Sequence, residues 1–156
     1  GELGTEVARL AEAFGMRVTF AARPGNEAND KRPALDDLLP EADVISLHCP
    51  LSDATKHLIN RQRLASAKPS LLLINCARGG VIDEVAALEA LRSGKLGGLG
   101  VDVLPAEPPR DGHPLLDALH EPLNLIVTPH NAWITPEARQ NIVSLTANNI
   151  REWKNA

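Results

Sequence analysis

The sequence is poor in aromatic residues and has no long apolar run. Its 156 residues contain two phenylalanines, two tryptophans and no tyrosine, so its core must be built from aliphatic side chains, as in most α/β sheets. No apolar stretch approaches the roughly 18 residues that a membrane span requires, and no signal peptide is visible. We therefore expect no membrane partner, and a targeting segment before residue 1 stays an open alternative.

The chain also has no excess of basic charge and only two cysteines. The net charge is −4 and the lysines and arginines form no block, which argues against nucleic acid and anionic membranes as partners. The two cysteines, Cys49 and Cys76, do not have the C-x-x-C spacing of a metal site. They indicate the reduced thiols of a cytoplasmic protein, with no metal site and no disulfide framework.

The most informative stretch is an apolar run that ends in an arginine. Residues 71–74 are Leu-Leu-Leu-Ile, and Asn-Cys-Ala-Arg-Gly-Gly follows as residues 75–80. The run predicts a strand buried on both faces, with Arg78 at its carboxyl end, where α/β sheets bind ligands. The planar donors of arginine match a carboxylate or a phosphate. The alternative is a surface arginine that forms a salt bridge with an acidic neighbour.

Strand and helix patterns alternate along the whole chain. The predicted strands cover residues 17–22, 42–48, 71–75, 98–104 and 123–128. The predicted helices cover residues 5–14, 35–39, 61–65 and 83–93, and a long one begins at Pro136. This order predicts a parallel sheet with helices on both faces. Its carboxyl edge would gather His48, Arg78, Asp102, Glu107 and His130, although loops at strand ends are polar in any soluble protein.

The chain opens with Gly1-Glu2-Leu3-Gly4 before a helix, which matches the second half of G-x-G-x-x-G. Such a helix start offers free N–H groups to a pyrophosphate, although two glycines can occur here by chance. The first glycine of the motif and its strand are absent. We therefore expect a doubly wound, Rossmann-like α/β sheet that lacks its first strand in this chain. Residues 1–156 would form a dinucleotide-binding domain without a substrate domain.

Four motifs carry a family resemblance, together with Asp-Val-Leu-Pro-Ala-Glu-Pro at residues 102–108. They are Gly1–Gly4 with Ala-Phe-Gly-Met at 13–16, Leu-His-Cys-Pro-Leu at 47–51, residues 75–83, and Thr-Pro-His-Asn-Ala-Trp at 128–133. In this order and spacing, the chain resembles the D-isomer-specific 2-hydroxyacid dehydrogenases. The resemblance covers the cofactor-binding domain of that family, and it implies that residues 136–156 begin the helix that returns to the other domain.

The resemblance implies a catalytic set of arginine, glutamate and histidine, which are Arg78, Glu107 and His130 here. Arg78 would hold the substrate carboxylate and polarise the 2-oxo group. His130 would exchange a proton with the carbonyl oxygen, and Glu107 would orient its imidazole. Taken alone, Glu107 could be a loop carboxylate beside prolines, and His130 a strand-end histidine bonded to the backbone.

The resemblance also implies how NAD or NADP would be held. The backbone of residues 1–4 would lie near the pyrophosphate, and Cys49 and Pro50 along the adenosine. The nicotinamide would contact the remaining residues, which are Cys76, Ala77, Arg78, Asp102, His130 and Ala132. The side chain of Asp102 would accept from the carboxamide, unless it caps a helix or forms a salt bridge.

The predicted strand at residues 17–22, which would be the second strand of the family's complete sheet, departs from NAD-preferring relatives. These commonly end that strand with an aspartate that binds the ribose hydroxyls, but here Ala22 and Arg23 occupy the position, and no acidic residue follows before Glu27. A carboxylate would repel a 2′-phosphate and an arginine would attract it. NADP is therefore expected to be accepted and could be preferred, unless Arg23 is only a solvated loop residue.

The expected function is hydride transfer between NAD(P)H and a small 2-oxo acid. The tryptophan at position 133 resembles that of the glycerate dehydrogenase and hydroxypyruvate reductase branch, so the expected substrates are hydroxypyruvate or glyoxylate and glycerate, unless Trp133 only packs between subunits or domains. Formate is disfavoured because related formate dehydrogenases have glutamine where Glu107 stands. A homodimer is the expected assembly. The alternatives are a dinucleotide-sensing protein without catalysis and an inactive fragment.

Overall fold

The structure is a computed structural model, and it describes residues 1–154. The helices are α1 (Glu2–Ala13), α2 (Leu35–Leu38), α3 (Arg61–Ser66), α4 (Glu84–Arg92), α5 (Pro114–Asp117) and α6 (Pro136–Lys154). The strands are β1 (Val44–Leu47), β2 (Leu72–Asn75), β3 (Gly98–Val101) and β4 (Leu125–Val127). Two 3-10 turns cover Glu27–Asn29 and Ala118–His120.

The four strands form one parallel sheet in the order β1-β2-β3-β4. Leu47 pairs with Asn75, Asn75 with Val101, and Val101 with Val127. The last residues of all four strands are thus in register, so the loops that follow them meet at one edge of the sheet. The Rossmann-like α/β class expected from the sequence is confirmed, and the carboxyl edge is where a functional site is expected.

The hydrophobic core lies on one face of this sheet. Leu73 and Leu99 point into it and are almost fully buried, and buried side chains of α3, α4 and α5 pack in the same cluster. On the other face, Leu72, Ile74 and Ile126 are 39%, 36% and 63% exposed. The expectation that β2 is buried on both faces is wrong because no helix among residues 1–154 covers these side chains.

The strand predicted at residues 17–22 is also wrong. This segment has no regular secondary structure, and Ala22 N–H donates to the carbonyl of Pro33 at 2.8 Å. A strand is stabilised by its neighbours, but β1 pairs only with β2 among the described residues. Residues 17–22 therefore have the alternating apolar pattern of a strand, but no strand among the described residues pairs with them.

The helix ends follow the local signals in the sequence. Asp83 is the N-cap of α4, and its Oδ1 accepts from Ala86 N–H at 3.0 Å. Gly94 and Gly15 follow α4 and α1 with φ of +71° and +81°, the left-handed conformation that glycine adopts without strain. Among residues 1–154, no helix combines the length and hydropathy that crossing a bilayer requires.

Candidate active site

A histidine and a glutamate form a hydrogen-bonded pair at the carboxyl edge. Glu107 lies in the loop after β3 and His130 in the loop after β4, and Glu107 Oε2 is 2.6 Å from His130 Nδ1. The other carboxylate oxygen accepts from Leu104 N–H at 2.7 Å. Burial raises the pKa of Glu107, but the hydrogen bonds from Leu104 and His130 outweigh it and hold the pKa below the ordinary value of 4.5.

The charge of Glu107 determines how the imidazole is used. An ionised carboxylate can only accept, so His130 Nδ1 carries the hydrogen that lies between the two groups. His130 Nε2 makes no hydrogen bond to residues 1–154, and the side chain is 39% exposed. The pair therefore presents Nε2 to the open side of the site, where it can exchange a proton with a bound molecule.

The loop that carries His130 is fastened to the buried carboxylate of Asp102. Asp102 Oδ1 accepts from Thr128 Oγ1 at 2.5 Å and from Asn131 N–H at 2.9 Å, and Oδ2 accepts from Ala132 N–H at 2.9 Å. Burial raises the pKa of Asp102, but these donors lower it below its ordinary value. The carboxylate therefore anchors both sides of His130.

His130 has a backbone conformation that needs such support. Its φ of +52° lies in the left-handed region, which non-glycine residues rarely occupy and which costs energy. Trp133 adds a further bond, since its indole Nε1–H donates to the carbonyl of His130 at 2.8 Å. The turn is thus held from the side of Asp102 and from the side of Trp133.

Arg78 lies on the neighbouring loop, after β2. Its side chain is exposed, and Nη1 donates to the carbonyl of Ala77 at 2.6 Å. A Cβ on Gly79 would lie 2.2 Å from the carbonyl carbon of Leu104, so the two backbones are in contact there. The loops of Arg78, Glu107 and His130 are therefore adjacent along the sheet edge.

Asn75 is a site-forming residue that the sequence reasoning did not select. Its side chain is fully buried; Nδ2–H donates to the carbonyl of Arg78 at 2.9 Å, and Oδ1 accepts from Ala77 N–H at 3.0 Å. The sequence feature that could have identified Asn75 is its position as the last residue of a strand, immediately before a turn that ends in arginine.

The two cysteines lie at the ends of β1 and β2. Cys76 is exposed and Cys49 is partly buried, and both are free. Burial raises the pKa of both thiols, and for Cys76 the charge of Asp102 raises the pKa further. Both are therefore neutral thiols at neutral pH, which disfavours them as nucleophiles. Pro50 follows Cys49 and is exposed, and its carbonyl accepts from the buried Thr55 hydroxyl at 2.6 Å.

Helix α1 begins beside β1 at the same edge. Gly1 is its N-cap and supplies no side-chain cap, and Glu2 and Leu3 are exposed. Gly4 packs against His48, where a Cβ on Gly4 would lie 3.4 Å from the histidine Cβ. The first-turn N–H groups of α1 have no acceptor within the helix, so residues 1–4 fit the pyrophosphate of a dinucleotide.

The segment after residue 22 lies beside a carboxylate that the sequence analysis did not consider, that of Asp30. Asp30 Oδ2 accepts from the backbone N–H of Arg23 at 3.0 Å, and Asp30 also binds the guanidinium of Arg32. The bonds from Arg32, and then the one from Arg23 N–H, lower the pKa of Asp30. The first acidic residue, Glu27, instead accepts from Gly25 N–H. The side chain of Arg23 is exposed, while the charge of Asp30 is matched by Arg32.

Comparison with known families decides the classification. A family model described as the NAD binding domain of D-isomer specific 2-hydroxyacid dehydrogenases matches residues 1–132. The chain belongs to this family. The resemblance seen in the sequence motifs is therefore confirmed, and the site lies inside the matched region up to Ala132.

Individual members of the family are similar over nearly the whole chain. A glycerate dehydrogenase from Methylorubrum extorquens is 45% identical over 151 residues, covering 96% of this chain and 46% of that protein. A hydroxypyruvate reductase from Blautia hydrogenotrophica is 36% identical over 157 residues, covering 98% and 48%. The crystal structure of a glyoxylate reductase from Paecilomyes thermophila has a TM-score of 0.81 at 37% identity, covering 97% and 46%. The chain thus spans about half the length of these relatives.

Proposed function

We propose that this chain is the dinucleotide-binding part of an NAD(P)-dependent D-2-hydroxyacid dehydrogenase that reduces hydroxypyruvate or glyoxylate. The observation that carries the proposal is the Glu107–His130 pair, set beside the Arg78 loop at the carboxyl edge of a parallel sheet. The family match supports the reaction class. The names of the glycerate dehydrogenase, hydroxypyruvate reductase and glyoxylate reductase relatives support the substrates.

Each of the three side chains has a distinct task. Arg78 binds the substrate carboxylate through parallel N–H donors and polarises the 2-oxo oxygen. His130 gives the proton from Nε2 to that oxygen and takes it back in the oxidative direction. Glu107 keeps Nδ1 protonated and fixes the plane of the ring. Hydride donation to the carbonyl carbon is the chemistry that a bound reduced nicotinamide supplies.

The chain would hold the dinucleotide along the same edge. Residues 1–4 would bind the pyrophosphate at the start of α1, and Cys49 and Pro50 would lie along the adenosine. Cys76, Ala77, His130 and Ala132 would surround the nicotinamide. Asp102 would accept from its carboxamide while keeping its three present donors, because two carboxylate oxygens offer about four acceptor sites.

The environment of Arg23 supports acceptance of NADP. The only carboxylate that contacts its backbone among residues 1–154, that of Asp30, is already paired with Arg32. The exposed guanidinium of Arg23 would attract a 2′-phosphate, and Ala22 places no carboxylate in its way. Steady-state rates with NADPH and NADH measure the cofactor preference. Arg23→Ala should lower the ratio of kcat/KM for NADPH to kcat/KM for NADH, whereas the exposed control Arg17→Ala should leave this ratio unchanged.

The assembly and location follow from the same proposal. We assign residues 1–156 to one dinucleotide-binding domain, of which residues 136–156 begin the return helix; residues 155–156 lie outside the described residues. Apolar side chains at the end of α1 and on α6 are exposed, among them Phe14, the C-cap residue of α1, at 86% and Trp153 of α6 at 81%. Such surfaces support burial against another domain or subunit, and the expected assembly is a cytoplasmic homodimer. Sedimentation of the full-length protein would measure the oligomeric state.

The decisive test is turnover by the full-length protein. Oxidation of NADH and NADPH would be followed with hydroxypyruvate and with glyoxylate for the wild type, His130→Ala and the matched control His120→Ala. Loss of the proton donor should lower kcat by about 10²- to 10⁴-fold, whereas His120→Ala should keep the wild-type rate. A wild-type protein that binds the dinucleotide but reduces neither acid would contradict the proposal and favour a dinucleotide sensor.

A further inference from the structure

Asn75 is a buried polar residue whose side chain bonds only to the turn that follows it. Its exposed fraction is 0%, and its amide group binds the backbone two and three residues onward, at Ala77 N–H and at the Arg78 carbonyl. A buried amide without partners would cost free energy. The turn from Cys76 to Arg78 is therefore the conformation that satisfies both ends of the Asn75 side chain.

The same residue is tied to the next strand. The backbone carbonyl of Asn75 accepts from Asp102 N–H at 2.9 Å, and Asp102 anchors the loop of His130. Immediately after Arg78, the backbone of Gly79 touches Leu104, whose N–H binds Glu107. Asn75 thus joins the turn that presents Arg78 to the part of the sheet that presents the other two side chains.

We propose that Asn75 is a positioning residue that sets the direction of Arg78 toward the substrate carboxylate. This inference rests on the proposed role of Arg78. Arg78 is exposed, and its side-chain hydrogen bond goes to the adjacent residue, Ala77, so its direction depends on the backbone from which it extends. Asn75 fixes that backbone at both the amide and the carbonyl side, and therefore acts on substrate binding without touching the substrate.

Asn75→Asp is the variant that changes one atom of this arrangement. Aspartate keeps the oxygen that accepts from Ala77 N–H, but places a second oxygen against the carbonyl of Arg78, where the two repel. We expect KM for hydroxypyruvate to rise about tenfold to a hundredfold, because a displacement of about 1 Å can cost about 10²-fold. The Kd of NADH, measured by fluorescence titration of the full-length protein, should stay at the wild-type value.

Asn124→Asp is the matched control. Asn124 also donates from Nδ2 to a backbone carbonyl, that of Gly97 at 2.8 Å, but it lies at the amino end of the strands. The Asn124→Asp variant should leave KM for hydroxypyruvate unchanged. Asn75→Thr is the second variant, to be used if the Asn75→Asp protein does not fold. Threonine suits a strand and keeps one of the two hydrogen bonds of the Asn75 side chain. This variant should show a smaller rise in KM.

A double-mutant cycle with Arg78→Lys distinguishes positioning from general loss of structure. If Asn75 acts through Arg78, then Asn75→Asp should add little to the defect of Arg78→Lys, whereas independent effects would add. Full additivity, an unchanged KM in a folded Asn75 variant, or a loss confined to NADH affinity would each overturn the proposal. Turnover by the wild type tests the proposed function itself, so the two failures are distinguishable.

Discussion

Replacing Asp102 by asparagine tests whether one buried carboxylate fixes the loop that carries His130. Asp102 is 3% exposed and accepts three hydrogen bonds, from Thr128, Asn131 and Ala132. All three donors belong to the segment that follows β4, and they lie on both sides of His130. The substitution keeps the shape of the side chain and removes its charge.

The size of the effect follows from the bonds. Asparagine can keep its oxygen toward Thr128 and Asn131, but its NH₂ group then faces Ala132 N–H, and two donors meet. Hydrogen bonds to charged groups contribute about 1.5–3 kcal/mol each, so one lost bond and two weakened ones should cost about 2–4 kcal/mol. The left-handed backbone of His130, which costs about 1–3 kcal/mol by itself, would then lose much of what holds it.

Two measurements on the full-length protein check this reasoning. Urea unfolding should give the loss of stability, and steady-state kinetics should give a fall in kcat of about 10- to 100-fold, since His130 no longer meets the carbonyl oxygen. Asp83→Asn is the matched control, because asparagine caps a helix about as well as aspartate. If Asp102→Asn kept both stability and kcat and weakened only NADH binding, Asp102 would be a carboxamide acceptor and nothing more.

Two further substitutions probe the same edge. Glu107→Gln should lower kcat. The pKa of Glu107 in the folded protein lies below its ordinary value of 4.5. The stability that the carboxylate adds is therefore fully present above pH 4.5, and it is lost as the pH falls through the lower folded-state pKa. Urea unfolding of Glu107→Gln and the wild type should therefore differ most at neutral pH and converge in acid. Gly79→Ala would place a Cβ 2.2 Å from the Leu104 carbonyl carbon and should lower kcat/KM by at least about tenfold, while Gly112→Ala, whose Cβ meets no atom within 4 Å, should cost only backbone strain.

The sequence was sufficient for the local features of the fold. The apolar runs located all four strands of the sheet, and Asp83 and Gly94 bounded α4 because capping is decided within a few residues. The proposed catalytic side chains could also be selected from the sequence, since each lies in the loop that follows a strand and in a motif of its own. That Glu107 binds His130 was expected from the family resemblance, and the structure shows the contact.

Features that depend on a distant partner were not predictable in the same way. Residues 17–22 have the composition of a strand, but pairing is a property of two segments, and no described strand lies beside them. The apolar run of β2 indicated burial on both faces, yet burial of Leu72 depends on what covers that face. The contact of Asp30 with Arg23 requires the chain to fold back over seven residues. No periodic pattern of residues in the sequence predicts such a loop.

The arrangement of the site resolves a difficulty with its exposed side chains. Arg78, Glu107 and His130 all lie on loops, where side chains are mobile unless something fixes their backbone. Hydrogen bonds fix the backbone for two of them, since Asn75 holds the turn of Arg78 and Asp102 holds the loop of His130. For Glu107, the bond from Leu104 N–H holds the carboxylate itself. Asn75 and Asp102 are buried residues at the ends of adjacent strands, so the rigidity of the sheet is transmitted to groups that must remain open to substrate.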